Sequence, residues 1–321
     1  MSNRPRIVLC TSTGFPAAQV AEIQAAADGV EIDAVADTRD AIWKAIPGAS
    51  ALIGCPRMIF SDALLAAAGP SLRWMHASGA GCEEFITPGL QAHTLVLTNG
   101  RIIQGPEVAD HAVALLLAIA RNIHAALRGR PAKPSRPIEL RGKTAAVVGL
   151  GGAGLLAAER LHAFGMRVVG VNPQPLPMLS LLDDVVPPDR LREVLPGADA
   201  VLMAAPHTPQ TDKLFGAAEF ALMKPTAIFV NVSRGKTVDT DALTAAVKQG
   251  RPGSAGIDVT DPEPLPPDHP LRHMDNVIVT EHQAGLSDHN RRRSFELIKI
   301  NVARFAAGVP LLNIVDKQLG Y

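Results

Sequence analysis

The chain has 321 residues, 47% apolar and only 4% aromatic, so it is long enough for two domains whose cores must be packed mainly by Ala, Val, Leu and Ile. Basic and acidic residues balance at 31 each, which excludes the electrostatic footprint of a nucleic-acid or anionic-membrane binder. Cys10, Cys55 and Cys82 are too few and too widely spaced for a disulfide framework or a metal motif, and the longest apolar run, Ala112 to Ala120, is too short to span a bilayer.

Arg4 to Thr11 reads as a first strand, without the apolar region of a signal peptide, and the expected compartment is a reducing cytoplasm. Cys10 or Cys82 as a nucleophile is weighed against a buried, incidental thiol, which is the commoner case. Strands are expected at Ile7–Cys10, Ala51–Cys55, Leu72–Ala77 and Leu95–Thr98, with Ala-rich helices at Pro16–Ala27 and Ser61–Ala68. Ser61 and Asp62 suit a helix start. Alternating strand and helix implies a parallel sheet covered on both faces. Ser78-Gly79-Ala80-Gly81 follows a strand, as either an anion-binding turn or a plain connection.

Pro106 to Arg128 carries the longest helical pattern, apolar on most faces and therefore expected to be buried. Gly129 to Pro137, rich in proline and basic residues, is a loop. From Lys143 the strand–helix period resumes, with strands expected at 144–149, 167–171, 199–204, 227–232, 254–259 and 276–280. A helix is expected over Thr240–Gln249, capped by Asp239 or Thr240, and a last amphipathic helix over Ser287–Ala307.

The second half opens on a dinucleotide signature. Thr144–Val148 is an apolar strand, Gly149, Gly151 and Gly154 follow in G-x-G-x-x-G spacing, and a helix and a second strand come next. In such a unit the first glycine makes the turn, the second admits a pyrophosphate and the third lets helix pack on strand. The amides at the helix start, around Gly152 and Ala153, then face the phosphates. Three further strand ends carry polar groups. Arg234, in Val232-Ser233-Arg234-Gly235, is either a carboxylate-binding guanidinium or a surface arginine. Asp258 and Glu263 lie in a proline-stiffened acidic loop, where Glu263 is either a partner for a histidine or an ordinary loop acid. His282, before Gln283-Ala284-Gly285, is either a proton-transfer group or a structural histidine. The remaining histidines show no metal spacing.

Taken in order, several motifs resemble the D-isomer-specific 2-hydroxyacid dehydrogenases, in the hydroxypyruvate/glyoxylate reductase group. They are Gly79-Ala80-Gly81, Val108-Ala109-Asp110-His111, Gly149-Leu150-Gly151-Gly152-Ala153-Gly154, Pro206-His207-Thr208-Pro209-Gln210-Thr211, Asn231-Val232-Ser233-Arg234-Gly235, Gly256-Ile257-Asp258-Val259 with Glu263-Pro264, and His282-Gln283-Ala284-Gly285. The resemblance implies an α/β protein of two Rossmann-like, doubly wound parallel-sheet domains with a cleft between them. A discontinuous substrate domain would cover 1–104 and 288–321, and a dinucleotide-binding domain 105–287. It implies reduction of a small 2-oxo acid of the glyoxylate or hydroxypyruvate type by NADH or NADPH, with closure excluding water. Arg234 would bind the carboxylate and carbonyl. His282 would be the general acid/base, and Glu263 would hold its other nitrogen and favour the protonated form. Ser78, Gly79, Ala80 and Gly81 would add backbone contacts. Gly149, Gly151, Gly152, Ala153, Gly154, Asn172, Pro206, Thr211, Val232, Ser233, Asp258 and Gly285 would line the cofactor, with Asp258 near the nicotinamide amide. No metal is implied, and a homodimer through the dinucleotide domains is.

Three positions depart from the family pattern. Asn172 stands where an acid would bind the ribose of NAD, with no basic residue between Gly170 and Asp189 to attract a 2′-phosphate, so NAD and NADP both stay open. Glu281 precedes His282 where proline is usual, and either perturbs the histidine or points away from it. Gln104-Gly105-Pro106 replaces small polar residues, which leaves substrate size open. Two other readings share the scaffold: a dinucleotide-sensing, non-catalytic corepressor-like protein, and a reductase acting on another oxyanion such as phosphite.

Overall fold

The computed structural model describes residues 4–11, 16–130, 136–176 and 180–321. The linker expected over 129–137 therefore falls partly outside the described residues. Contacts divide the chain into two units, Met1–Ile103 with Ser287–Tyr321, and Gln104–Leu286. Each boundary lies one residue before the expected one.

The first unit holds a five-stranded parallel sheet of β1 (Arg6–Thr11), β2 (Glu31–Ala36), β3 (Ala51–Ile53), β4 (Trp74–Ala77) and β5 (Val96–Asn99), in the order β2-β1-β3-β4-β5. Alternate residues of its central strands feed two cores, Val8, Leu52 and Met75 on one face, and Ile7, Leu9, Ile53 and Trp74 on the other. A parallel sheet covered on both faces needs such two-sided strands. The helix Asn290–Ala306 supplies Phe295, Ile298 and Val302 to the second face. Strand β2 is absent from the sequence expectation. It forms the sheet edge with no fully buried residue, so it lacks the apolar run of its neighbours.

The second unit is a seven-stranded parallel sheet of β6 (Thr144–Val148), β7 (Arg167–Val171), β8 (Asp184–Val186), β9 (Ala200–Met203), β10 (Ile228–Asn231), β11 (Ser254–Ile257) and β12 (Val277–Val279), in the order β12-β11-β10-β9-β6-β7-β8. The chain winds outward from β6 to β8, then returns to β9 on the other side of β6. Winding therefore reverses between β6 and β9, the place where such sheets bind ligands off the carboxyl ends of their strands. All six expected strands are present; β8, three residues at the edge, is additional.

The helix expected over 106–128 is two helices, Gly105–Ala120 and Ile123–Arg128. Asn122 adopts φ 60° and ends the first helix, although apolar periodicity continues through the break. Expected caps are found: Ser61 accepts from the Leu64 amide, and Asp239 from that of Ala242. No helix among the described residues is long and apolar enough to cross a membrane.

Candidate active site

Along the second sheet the carboxyl ends form one row: Asn172 after β7, the glycine turn after β6, Pro206 after β9, Arg234 after β10, Asp258 and Glu263 after β11, and His282 after β12. Parallel alignment alone brings these sequence-distant residues to one edge. Ser78 to Gly81 lie in the first unit.

The glycine turn is sterically fixed. Gly149 has φ 92°, and a Cβ there would sit 2.5 Å from the backbone of Ala205. A Cβ on Gly154 would sit 1.9 Å from the Gly149 carbonyl oxygen, whereas one on Gly151 would meet nothing within 4 Å. The turn is thus closed toward the sheet and open above Gly151. No side chain caps the following helix, Gly152–Ala163, so the amides at its start, those of Gly152 and Ala153 included, are donors facing the open side. These features fit a dinucleotide pyrophosphate. Asn172 is committed elsewhere: its Oδ1 accepts from the Leu150 amide (3.2 Å), and its Nδ2 donates to the Gln174 carbonyl (2.8 Å). Beyond β9, the Thr211 hydroxyl donates to the Pro206 carbonyl (2.6 Å) and accepts from the Thr208 amide (2.8 Å), knotting that loop.

After β10, Val232 leads into a tight loop. Ser233, buried, is within 2.9 Å of Asn231 Oδ1, and the Arg234 carbonyl accepts from the Thr237 hydroxyl (2.7 Å). Gly235 packs so closely that a Cβ would lie 1.8 Å from the Thr260 carbonyl oxygen. That contact seats the Arg234 loop against the Asp258–Thr260 loop. Arg234 Nη1 donates to the Ser233 carbonyl at 2.7 Å.

His282 sits two strands away, roughly 10 Å by strand spacing. Its Nδ1 is hydrogen-bonded to Glu263 Oε1, and both side chains are half-exposed. Donation from Nδ1 to a carboxylate fixes the tautomer and leaves Nε2 for another partner. The backbone of His282 is held at φ 46°, an uncommon conformation costing on the order of 1 kcal/mol. What holds it is Asp258. The Asp258 carbonyl accepts the His282 amide (2.8 Å), Oδ1 accepts from Gln283 (3.0 Å), and Oδ2 accepts from Ala284 (2.9 Å). Oδ1 also receives the Thr280 hydroxyl (2.6 Å), which in turn accepts from His111 Nε2 (2.9 Å). Since the only hydroxyl hydrogen of Thr280 goes to Asp258, His111 Nε2 is the donor. Burial would raise the Asp258 pKa, but His111 Nε2, also 3.4 Å from Oδ1, together with the Thr280, Ala284 and Gln283 donors, outweighs it and keeps the carboxyl well below the usual carboxylate range. With its side chain fully buried, Asp258 braces the turn under His282. The Gly285 carbonyl is held from the other side by Gln104 Nε2 (3.3 Å).

Glu281 is paired with a cation, its Oε1 2.5 Å from Arg272 Nη1, and this partner lowers its pKa. A recess of about 210 Å³ opens beside Glu263, Thr280 and His282. His111, Thr280 and Arg272 were not singled out in the sequence. His111 was noted only within a motif, and Arg272 acts partly through backbone carbonyls, which leave no sequence signal.

In the first unit, the loop after β4 is tethered by its carbonyls: Asn99 Nδ2 donates to Ala80 (2.7 Å), and the Gly100 amide to Gly79 (2.8 Å). Among the described residues, the amides of Ser78, Gly79, Ala80 and Gly81 find no acceptor, so this turn presents donors. All three cysteines are free and buried; burial raises the Cys10 thiol well above its usual range and Cys55 to about 12, which removes Cys10 as a nucleophile. Cys82 is likewise buried, its sulfur 3.5 Å from the Gly320 carbonyl.

A family profile described as D-isomer specific 2-hydroxyacid dehydrogenase, NAD binding domain, matches residues 113–284. The chain belongs to this family. It is 32% identical over 270 residues to a glyoxylate reductase of Korarchaeum cryptofilum, covering 80% of each chain. It is 35% identical over 272 residues to a D-3-phosphoglycerate dehydrogenase of Mycobacterium bovis, covering 81% of this chain but only 50% of that one. Among solved structures, a D-isomer specific 2-hydroxyacid dehydrogenase from Xanthobacter autotrophicus Py2, in complex with NADPH and MES, superposes with a TM-score of 0.81 at 27% identity, covering 99% of this chain and 100% of that one. This family member is an NAD(P)-dependent oxidoreductase of two parallel-sheet α/β domains.

Proposed function

We propose that the protein reduces a small 2-oxo acid, of the glyoxylate or hydroxypyruvate type, to the D-2-hydroxy acid. The observation that carries this reading is the His282–Glu263 pair, standing at the same sheet edge as Arg234 and the glycine turn. The glycine turn, the helix start at Gly152 and Ala153, and the loops at Pro206–Thr211, Val232–Ser233 and Gly285 hold the dinucleotide. When bound, the dinucleotide supplies the hydride received by the keto carbon. Arg234 binds the carboxylate and carbonyl oxygens through its guanidinium fork, which fixes the carbonyl's orientation and polarises it. His282 Nε2 gives a proton to the carbonyl oxygen, and Glu263 at Nδ1 keeps the ring aligned for that transfer. Asp258 acts through the turn it braces. The open amides of Ser78 to Gly81 are assigned to carboxylate recognition.

The partner is a small acid; the charge balance offers nothing to nucleic acid. The free thiols support a reducing, cytoplasmic setting. An apolar groove beside helices 105–120 and 123–128, where Leu127 is 84% exposed, supports a homodimer. Purified protein with NADH or NADPH and a panel of 2-oxo acids, followed by absorbance, tests the activity. Oxidation of either cofactor by glyoxylate or hydroxypyruvate is the expected result. Inactivity across the panel with cofactor bound overturns the reading.

A further inference from the structure

The pairing of Glu263 with His282 poses a mechanical problem. Glu263 stands on a loop whose Pro262, Pro264, Pro266 and Pro267 have no amide hydrogens, so little backbone hydrogen bonding is available to hold it. The Pro266 carbonyl takes the His269 amide (3.1 Å), and one side chain reaches both it and the Leu265 carbonyl. Arg272 Nε lies 3.1 Å from the Leu265 carbonyl and 3.1 Å from that of Pro266, and Nη2 lies 2.6 Å from Leu265. The remaining nitrogen, Nη1, is 2.5 Å from Glu281 Oε1. Arg272 itself stands on the short helix Pro270–His273, pinned by the fully buried Leu271.

We propose that Arg272 is a positioning residue for the acid/base pair: its guanidinium fastens the loop carrying Glu263 to the residue preceding His282. The planar fork suits this task, because it serves two carbonyls and a carboxylate at fixed angles. Glu281, standing where the family pattern has proline, is the anchor on the β12 side. A carboxylate beside the catalytic histidine is thereby tied to a cation. The inference rests on the acid/base reading above, and the test separates the two.

The test is a double-mutant cycle on the intact protein, reading kcat and KM with the active 2-oxo acid and cofactor Kd by fluorescence. Arg272→Met is expected to lower kcat about tenfold to a hundredfold, with cofactor Kd and substrate KM nearly unchanged. Arg272→Lys, which keeps the charge but loses the fork, should fall between. Glu281→Gln should cost about threefold, as an exposed ion pair would. In a Glu263→Gln background each loss should largely disappear, because Arg272 acts through Glu263. A normal kcat in Arg272→Met, or a loss that persists in full beside Glu263→Gln, overturns the proposal. If Arg272→Met does not fold, Glu281→Gln with Glu263→Gln completes the same cycle, and a loss that persists in full there overturns the proposal equally. If Glu263→Gln alone leaves turnover intact, the acid/base reading itself fails.

Discussion

Asn172 gives its side-chain oxygen to the amide of Leu150, 3.2 Å away, and its side-chain nitrogen to the carbonyl of Gln174. An acid here would accept the ribose 2′-hydroxyl of NAD and repel a 2′-phosphate. Asn172 carries no negative charge, and its side chain fastens the glycine turn to the end of β7. Binding of NADH and NADPH is therefore expected to differ by less than about tenfold. Asn172→Asp keeps an acceptor for Leu150 and adds a charge. It should shift the NADH:NADPH affinity ratio toward NADH by about tenfold or more, ~1.4 kcal/mol. Equilibrium titration of both cofactors checks this, and an unchanged ratio in the variant would remove Asn172 from cofactor choice.

His282→Asn should lower turnover by about 10²- to 10⁴-fold while cofactor binding stays close to normal. The contribution assigned to His282 is proton transfer, and the proposed pyrophosphate cradle, the glycine turn, follows β6, separated from β12 in the sheet by β9, β10 and β11. Glu263→Gln should also lower kcat, though less steeply, since it removes the charge that favours the protonated ring. Full kcat in His282→Asn would dismiss its role.

Much of the second unit was legible because strands of a parallel sheet are continuous apolar runs. β6, β7 and β9 to β12 all announce themselves, as do the caps Ser61 and Asp239. The edges were not: β2 carries only exposed and half-buried residues, and β8 has three residues. Asn122 breaks its helix with neither glycine nor proline. At the site, Arg234, Glu263 and His282 were legible as polar residues at strand ends. The bracing was not. In sequence Asp258 belongs to an acidic, proline-stiffened loop, and the turn its buried carboxylate braces is assembled only by the fold.

His76 on β4 is fully buried, with Nδ1 2.8 Å from the Thr98 hydroxyl and no partner for Nε2 among the described residues. Burial lowers its pKa to about 4. The unfolded chain takes up this proton near pH 6.5, whereas the folded one resists it until about pH 4. The unfolded state therefore binds more protons across that window, and stability falls as pH drops from 6.5 toward 4, by up to about 3 kcal/mol. His76→Gln cannot titrate and should flatten this slope. Thermal midpoints at half-unit pH steps give the comparison; parallel slopes in the two proteins would refute it.

Asp258 acts in a lower window. Its folded pKa is depressed below the ordinary Asp value, so its stabilising contribution is fully present above about pH 4 and is lost as pH falls through the folded value. Asp258→Asn keeps the shape but offers one acceptor oxygen to Thr280, Gln283, Ala284 and His111. The buried donors left without a charged partner should cost roughly 3 kcal/mol at neutral pH. The gap between wild type and variant, read from urea unfolding at pH 7 and again near pH 3.5, should narrow in acid as the wild-type carboxylate loses its advantage. Turnover should fall as well, because the braced turn sets the φ of His282. A variant of normal stability at pH 7, or a gap that widens in acid, would show that the carboxylate does not hold the turn in place.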